Sequence, residues 1–456
     1  MRSFDTWRGP VPRPQVGASR GPCHTAHVSD DASRTGPSVG RGVQSRIYRA
    51  GVLGHGPVVP VEPAALEAAA RRRMSRSAWA YVAGGAGQQR TARANLEAFD
   101  RHRLVPRVLV DVGARDTSVE LFGRRLPAPL LFAPVGVLET VHREADVAAA
   151  RAARALGLPF VVSSQGSVPM ERTAAELGGS PHWFQLYWSK DDDVVDSFVD
   201  RAVATGAEAV VVTLDTHVLG WRTRDLDLGY LPFARGLGIA QYTSDPAFRR
   251  LVERRASGPR PTQPSPRPTP AAVRALVSIS RHHPGRLRDN LRSPLPRAAV
   301  ETFLDVFSRS TLTWDDLARL RSRTSLPIVL KGVQDARDAD LALDHGVDGI
   351  VVSNHGGRQV DGAVASLDAL PGVVERVDGR VPVLFDSGVR SGSDVVKALA
   401  LGARAVLLGR PWVYGLALAG ADGARAVMEH VWAELDLTMA LCGVRTLDEI
   451  GPDLLA

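Results

Sequence analysis

Lysine is nearly absent: Lys190, Lys331 and Lys397 stand beside 53 arginines in 456 residues. That bias has the look of genome composition, and it makes each lysine a position to examine. Cysteine is as scarce. Cys23 and Cys442 are too few for a disulfide framework or a cysteine-based metal site, so no metal is expected. No run of 18 apolar residues occurs, which excludes a sequence-evident membrane-spanning helix. The first residues carry arginines without the apolar core of a secretory signal. The expectation is a cytoplasmic protein.

A net charge of +7 and a pI near 9.9 invite a nucleic-acid reading, but the location of the charge argues against one. Residues 258–298 hold eight arginines and one acid, Asp289, so this Pro-rich stretch alone accounts for the net charge. No basic face has to be invoked. The stretch is expected to be a disordered insert, since it offers little apolar surface to bury. Residues 1–45, rich in Gly, Pro, Ser and Arg, are expected to be a disordered tail. Order is expected from near Val58, with a helix over 63–74 that has Pro63 in its first turn.

From Pro127 onward short apolar runs recur at 129–136, 159–164, 182–188, 209–215, 327–333, 349–355, 381–388 and 405–410. Near-continuous apolar strands are what a parallel sheet covered by helices requires. Helix-like segments intervene at 142–156, 190–205 and 391–401. Eight such units predict a TIM (β/α)8 barrel with an N-terminal helical extension and a long insertion after the fourth strand, occupying 58–456. A doubly wound sheet is the alternative, and the regular spacing favours closure. Between the fourth and fifth strands the sequence predicts a lid over 229–250, the Arg/Pro insert, and helices at 299–308 and 314–323.

Polar residues and glycines gather where these strands end. The second run gives Ser163, the third Gln185 and Tyr187, the fourth Thr213 and Asp215, and the fifth Lys331. The sixth, Ser353-Asn-His-Gly-Gly-Arg358, delivers His355 and Arg358 with two glycines between them. A base and a fixed cation thus meet where backbone can approach a ligand closely. Asp386-Ser-Gly-Val-Arg390 and Gly409-Arg410 end the seventh and eighth, where barrels of this kind often hold phosphate. Each residue alone has an ordinary structural explanation. Their convergence on one barrel end is what points to chemistry.

These blocks, together with WAYVAGGAG (79–87), RHRLVPRVLVDV (101–112), LFAPVG (131–136), FQLY (184–187), TLDTHVLGWRTRD (213–225) and SNHGGRQ (353–359), resemble the FMN-dependent α-hydroxy-acid oxidases and dehydrogenases. The likeness is greatest to the lactate 2-monooxygenase branch. It implies FMN as cofactor, a small L-2-hydroxy acid such as lactate as substrate, and oxygen or another electron carrier as acceptor. It also implies a homo-oligomer, a tetramer or octamer. By the same resemblance His355 is the catalytic base and Asp215 its partner, while Tyr81, Tyr187, Arg222 and Arg358 bind substrate. Flavin contacts fall on Pro134, Val135, Gly136, Ser163, Gln185, Thr213, Lys331, Asp386, Ser387, Gly388, Val389, Arg390, Gly409 and Arg410. Gln165 departs from the tryptophan of the glycolate oxidases, and Gln88 replaces a usually acidic residue. Gly136, an alanine in the plain oxidases, is expected to leave room above the flavin and so to favour monooxygenase chemistry.

Overall fold

The computed structural model describes residues 38–258 and 269–456. Four helices come first, Val39–Val52, Pro63–Arg73, Arg76–Ala83 and Arg90–Asp100. Ser38, Glu62 and Ser75 cap the first three by accepting the backbone N–H of the third helical residue, which satisfies donors the helix itself cannot. The first helix corrects two expectations, a disordered tail to residue 45 and order only from Val58. Gly40 and Val43 are buried against the last helix of the chain, Arg410–Leu441. The Gly40 N–H donates to Asp436 Oδ2 at 2.9 Å, and Asp436 also pairs with Arg115 at 2.8 Å. A Cβ at residue 40 would lie 2.6 Å from the Ala433 carbonyl oxygen, so the contact requires glycine. Residues 1–37, the remainder of the expected tail, lie outside the described residues.

A hairpin follows, β1 (Val119–Leu121) and β2 (Arg124–Leu126), which the apolar runs did not foretell. Then come β3 (Leu130–Phe132), β4 (Phe160–Ser163), β5 (His182–Leu186), β6 (Val210–Thr213), β7 (Ile328–Val333), β8 (Gly349–Val352), β9 (Val383–Phe385) and β10 (Ala405–Leu408). These eight pair in parallel, and β10 returns to β3 to close a barrel. Each lies within one of the runs read from the sequence. The fold is the TIM barrel.

Strand side chains alternate between faces, and the runs are apolar throughout because both faces are covered. Leu131, Val161, Trp183, Val211, Val329, Val351, Leu384 and Leu407, one per strand, fill the interior together with Val119, Leu121 and Leu126 of the hairpin. Their neighbours, among them Phe132, Phe160, Phe184 and Phe385, face the helices in a second cluster. Phe122 of the hairpin tilts against Trp183 at 5.4 Å. Side chains thus fill the N-terminal end of the barrel, leaving polar strand ends to face a cavity at the other.

The segment between β6 and β7 departs furthest from the sequence expectation. Residues 270–298 were expected to be disordered, yet they form helices Pro270–His282 and Leu287–Asn290 and enter a third, Leu295–Val306. Thr269 caps the first of these, and Pro270 occupies its first position. Buried Asn290 then ties the turn together, donating to the carbonyls of Ser280 and His283 at 2.9 and 3.0 Å. Five of the nine prolines of 258–298 fall in 259–268, outside the described residues, and they hid the helical sequence behind them. The expected helices at 299–308 and 314–323 are present as Leu295–Val306 and Asp316–Arg323.

Candidate active site

The turn after β8 places a histidine in a conformation glycine would hold more easily. His355, Gly356 and Gly357 have φ of 58°, 65° and 73°; for the histidine this conformation costs roughly 1–3 kcal/mol and needs support from around it. The support is visible. The His355 N–H donates to Ser353 Oγ at 3.1 Å, that of Gly356 to Ser387 Oγ at 2.9 Å, and that of Gly357 to Asn354 Oδ1 at 3.0 Å. Asn354 in turn exchanges amide bonds with buried Asn95 at 2.7 and 2.8 Å. No local motif marks Asn95, which arrives from the fourth helix.

His355 Nδ1 lies 2.8 Å from Asp215 Oδ1, beyond the end of β6. Thr216 Oγ1 donates to the same carboxylate oxygen at 2.9 Å. Burial favours protonation of Asp215, but His355, Lys331 and Thr216 outweigh it and hold the carboxyl below its ordinary value. Burial of His355, seconded by the cations Lys331 and Arg222, outweighs the attraction of Asp215 and lowers the imidazole pKa. The resting pair is therefore an aspartate beside a neutral imidazole. Its Nε2 is left on the cavity side, with Tyr187 Oη at 3.5 Å.

Two arginines, Arg222 buried and Arg358 half-buried, face the same cavity. Arg358 donates to the carbonyls of Tyr81 and Gly84, and its guanidinium lies 5.0 Å from the centre of the Tyr81 ring. Arg222 Nη2 donates to Gln359 Oε1 at 2.9 Å, and Gln359 Nε2 donates to the Asp215 carbonyl at 2.7 Å. One amide side chain, not singled out in the sequence, therefore links the cation to the histidine's partner. Burial, then Arg222, pushes the Arg358 pKa down to about 9. An anion placed between the two cations relieves that strain.

The opposite wall suits a flat, polar-edged ring with a phosphate tail. Buried Gln185 Nε2 and Thr213 Oγ1 have no partner among the described residues. Lys331, 4% exposed, bonds Asp386 at 2.7 Å and Ser353 at 2.8 Å. Burial pulls its pKa down, but Asp386 and Asp215 more than compensate, and the ammonium is firmly charged. The backbone amides of Gly388 and Gly409 bond to no described acceptor, in the position where such barrels hold phosphate. Arg410 differs from expectation in detail. Its guanidinium already bonds the carbonyls of Val82, Gly356 and Gly84 at 2.9–3.0 Å, so it stiffens the wall and is not a free fork.

Eighteen of the twenty residues singled out in the sequence line one cavity of about 1120 Å³, part of it open to solvent. Asp215 lies behind His355, and Gln185 beneath Ser163, to which it bonds at 3.1 Å. Thr216, Leu219, Phe233, Phe307 and Gln165 also line it. The two phenylalanines come from the long insertion, where no sequence signal connects them to the site. The reading of Gly136 needs correction. A Cβ there would lie 2.8 Å from Gln165 Cβ and 3.0 Å from the Gln165 carbonyl, so this glycine makes room for Gln165 and not for open space above a ring.

Comparison with known proteins agrees with this geometry. The family described as FMN-dependent dehydrogenase matches residues 70–456. An L-lactate oxidase of Lysinibacillus sphaericus is 40% identical over 85% of this chain and 91% of its own. The FMN-dependent alpha-hydroxy acid dehydrogenase qulF of Penicillium citrinum is 40% identical over 90% and 94%. A mandelate oxidase structure with (S)-4-hydroxymandelic acid superimposes with a TM-score of 0.71 at 36% identity, covering 87% of this chain and 98% of that one. Another, at TM-score 0.67 and 35% identity over 84% and 96%, contains a C4a-OH-FMN adduct. Barrel and cavity together define an FMN-dependent α-hydroxy-acid oxidoreductase. The chain belongs to the FMN-dependent dehydrogenase family, and FMN is its cofactor.

Proposed function

We propose that the protein oxidises a small L-2-hydroxy acid, with L-lactate as the reference substrate and oxygen as electron acceptor. The observation that carries this reading is the His355–Asp215 pair facing a cavity that is also lined by Arg222 and Arg358. Arg222 and Arg358 hold the substrate carboxylate, for which a guanidinium fork is well shaped. His355 Nε2 takes the proton of the C2 hydroxyl, and Asp215 fixes the ring and stabilises the imidazolium that forms. Tyr81 and Tyr187 complete the substrate pocket. FMN supplies the acceptor for the two electrons that leave C2. Gln185, Thr213, Ser163 and the segment Pro134–Gly136 hold its ring, and Lys331 places positive charge beside it. Asp386–Arg390 and Gly409 hold its phosphate tail, against the wall that Arg410 stiffens.

Product retention is the finer part of the proposal, and the lid supports it. Phe233 packs against Phe303 and Phe307 with ring centres 5.0 and 6.5 Å away. Ser278 Oγ donates to the Arg235 carbonyl at 2.9 Å, and the Gly238 N–H to Glu139 Oε1 at 2.8 Å. A lid fastened this way keeps pyruvate in place while oxygen is reduced, and the two products then yield acetate, carbon dioxide and water. A lid that releases pyruvate first gives pyruvate and free hydrogen peroxide, the oxidase reading favoured by the lactate oxidase likeness.

The test is anaerobic addition of L-lactate to the yellow holoenzyme, followed by product analysis in air. Bleaching of the flavin, with acetate dominant, supports the full reading. Stoichiometric free peroxide reassigns the protein to the oxidases, and dye reduction without oxygen uptake reassigns it to the dehydrogenases. No bleaching with any 2-hydroxy acid overturns the reading altogether.

A further inference from the structure

Arg71, Arg76, Arg93, Arg224, Arg390 and Arg410 line one hollow of about 1490 Å³, part of it open to solvent. No run of charge in the sequence announces it. The six come from the second, third and fourth helices, the short helix Thr223–Asp227, the loop after β9 and the start of the last helix. The fold gathers them. The hollow begins where the flavin cavity ends, since Arg390 and Arg410 line both. Its walls carry only two acids, Glu67 and Asp227, and none of the six arginines forms an ion pair with a described residue. Arg410 donates to three backbone carbonyls and Arg390 to that of Val389 at 3.0 Å. The guanidinium groups of the other four make no hydrogen bond to a described residue.

Cations gathered without counter-charge repel one another, and a cleft lined by one sign concentrates ions of the other. The repulsion acts within the wall: burial lowers the Arg410 pKa, and Arg390 adds to this against Tyr414 and Glu67. Buried Tyr414 also lines the hollow. Burial raises its pKa against Arg410, Arg390 and Arg224, so its hydroxyl keeps the proton and is one more donor. Trp79 stacks on it with ring centres 5.6 Å apart, a flat apolar surface beside the cations.

We propose that this hollow is a second anion site, separate from the flavin cavity, which binds a short polyphosphate chain, free or carried by a nucleotide. Phosphate suits guanidinium forks, each of which grips two oxygens. A chain of linked phosphates reaches from one arginine to the next, as a single carboxylate does not. In the nucleotide case Trp79 supplies the surface for the base. The assignment is independent of which 2-hydroxy acid is oxidised.

Titration calorimetry on the FMN-loaded enzyme tests it, with sodium tripolyphosphate and ATP as probes. Divalent metals are left out, and ionic strength is held constant with sodium chloride. Each protomer is expected to bind one tripolyphosphate saturably. The double variant Arg71→Gln, Arg93→Gln should weaken that binding by about 10–100-fold. Both residues are exposed and neither lines the flavin cavity, so folding, FMN content and turnover should be unchanged. ATP binding more tightly than tripolyphosphate identifies the ligand as a nucleotide; equal or weaker binding identifies it as the inorganic chain. Absence of saturable binding overturns the proposal, as does an affinity that the double variant leaves unchanged. Release of FMN as the probe binds shows that the anion has entered the flavin's own phosphate subsite, which also overturns it.

Discussion

Asp215 Oδ1 and His355 Nδ1 meet at 2.8 Å although they follow strands β6 and β8, and the buried ammonium of Lys331 on β7 acts on both. The carboxylate orients the imidazole, and burial, seconded by the ammonium, keeps it neutral at rest. A base activated this way is unprotonated at neutral pH and has an immediate counter-charge once it takes a proton.

That arrangement fixes the sign of the acid limb. The His355 pKa lies below the ordinary 6.5, chiefly through burial. Since the neutral form is the base, kcat/KM for L-lactate should be flat above pH 6.5 and fall as pH drops through a midpoint below that value. Asp215→Asn removes the principal influence raising the pKa, so the midpoint should move to still lower pH while the rate falls. A pH–rate profile of both proteins decides it; an acid limb centred above 6.5 contradicts the assignment.

His355→Gln should keep FMN and lose turnover. Loss of a general base alone is worth about 10²–10⁴-fold, and the residues facing the cofactor are untouched. Stopped-flow anaerobic reduction by L-lactate measures it. A variant that keeps more than about a tenth of the wild-type rate removes His355 from the role of base.

Lys331→Met should strand Asp386 in a buried site. Breaking a buried pair on one side typically costs about 3–5 kcal/mol, so chemical denaturation should show a large loss of stability. The flavin potential should fall as well, because the positive charge beside the ring is gone. Adding Asp386→Asn should recover much of the stability and none of the potential, which separates the two roles of the ammonium.

Gly136→Ala should act through Gln165. The new methyl sits 2.8 Å from Gln165 Cβ, closer than side chains tolerate, so the segment after β4 must shift. Expected results are weaker FMN retention and an altered acid preference. An unchanged FMN dissociation constant and unchanged product ratio would show that the segment yields freely.

Deleting 270–290 should not be silent, contrary to what the composition of 258–298 foretold. Helix Pro270–His282 bonds the lid at Arg235 and packs beside Gly236. Its loss should loosen the lid, raise the share of free peroxide among the products and lower the melting temperature. Calorimetry and a peroxide assay on one preparation check both.

The barrel was legible in the sequence because a parallel strand covered on both faces must be apolar along its whole length, and eight such runs leave few other architectures. The residues at the strand ends were legible for the complementary reason: Thr213, Lys331 and His355 are polar where a covered strand has no structural use for polarity. Distance along the chain concealed the rest. Asn95 buttresses the histidine turn from more than 250 residues away, Gln359 joins Arg222 to the backbone of Asp215, and Phe233 and Phe307 reach the cavity from an insertion whose composition spoke for disorder. Gly136 likewise takes its meaning from Gln165, which packs against it only in the folded barrel. Apolar periodicity and local polarity are properties of neighbouring residues, and a sequence displays them directly. Which buried amide lacks a partner, and which carboxylate faces which cation, depends on contacts made only when the barrel closes.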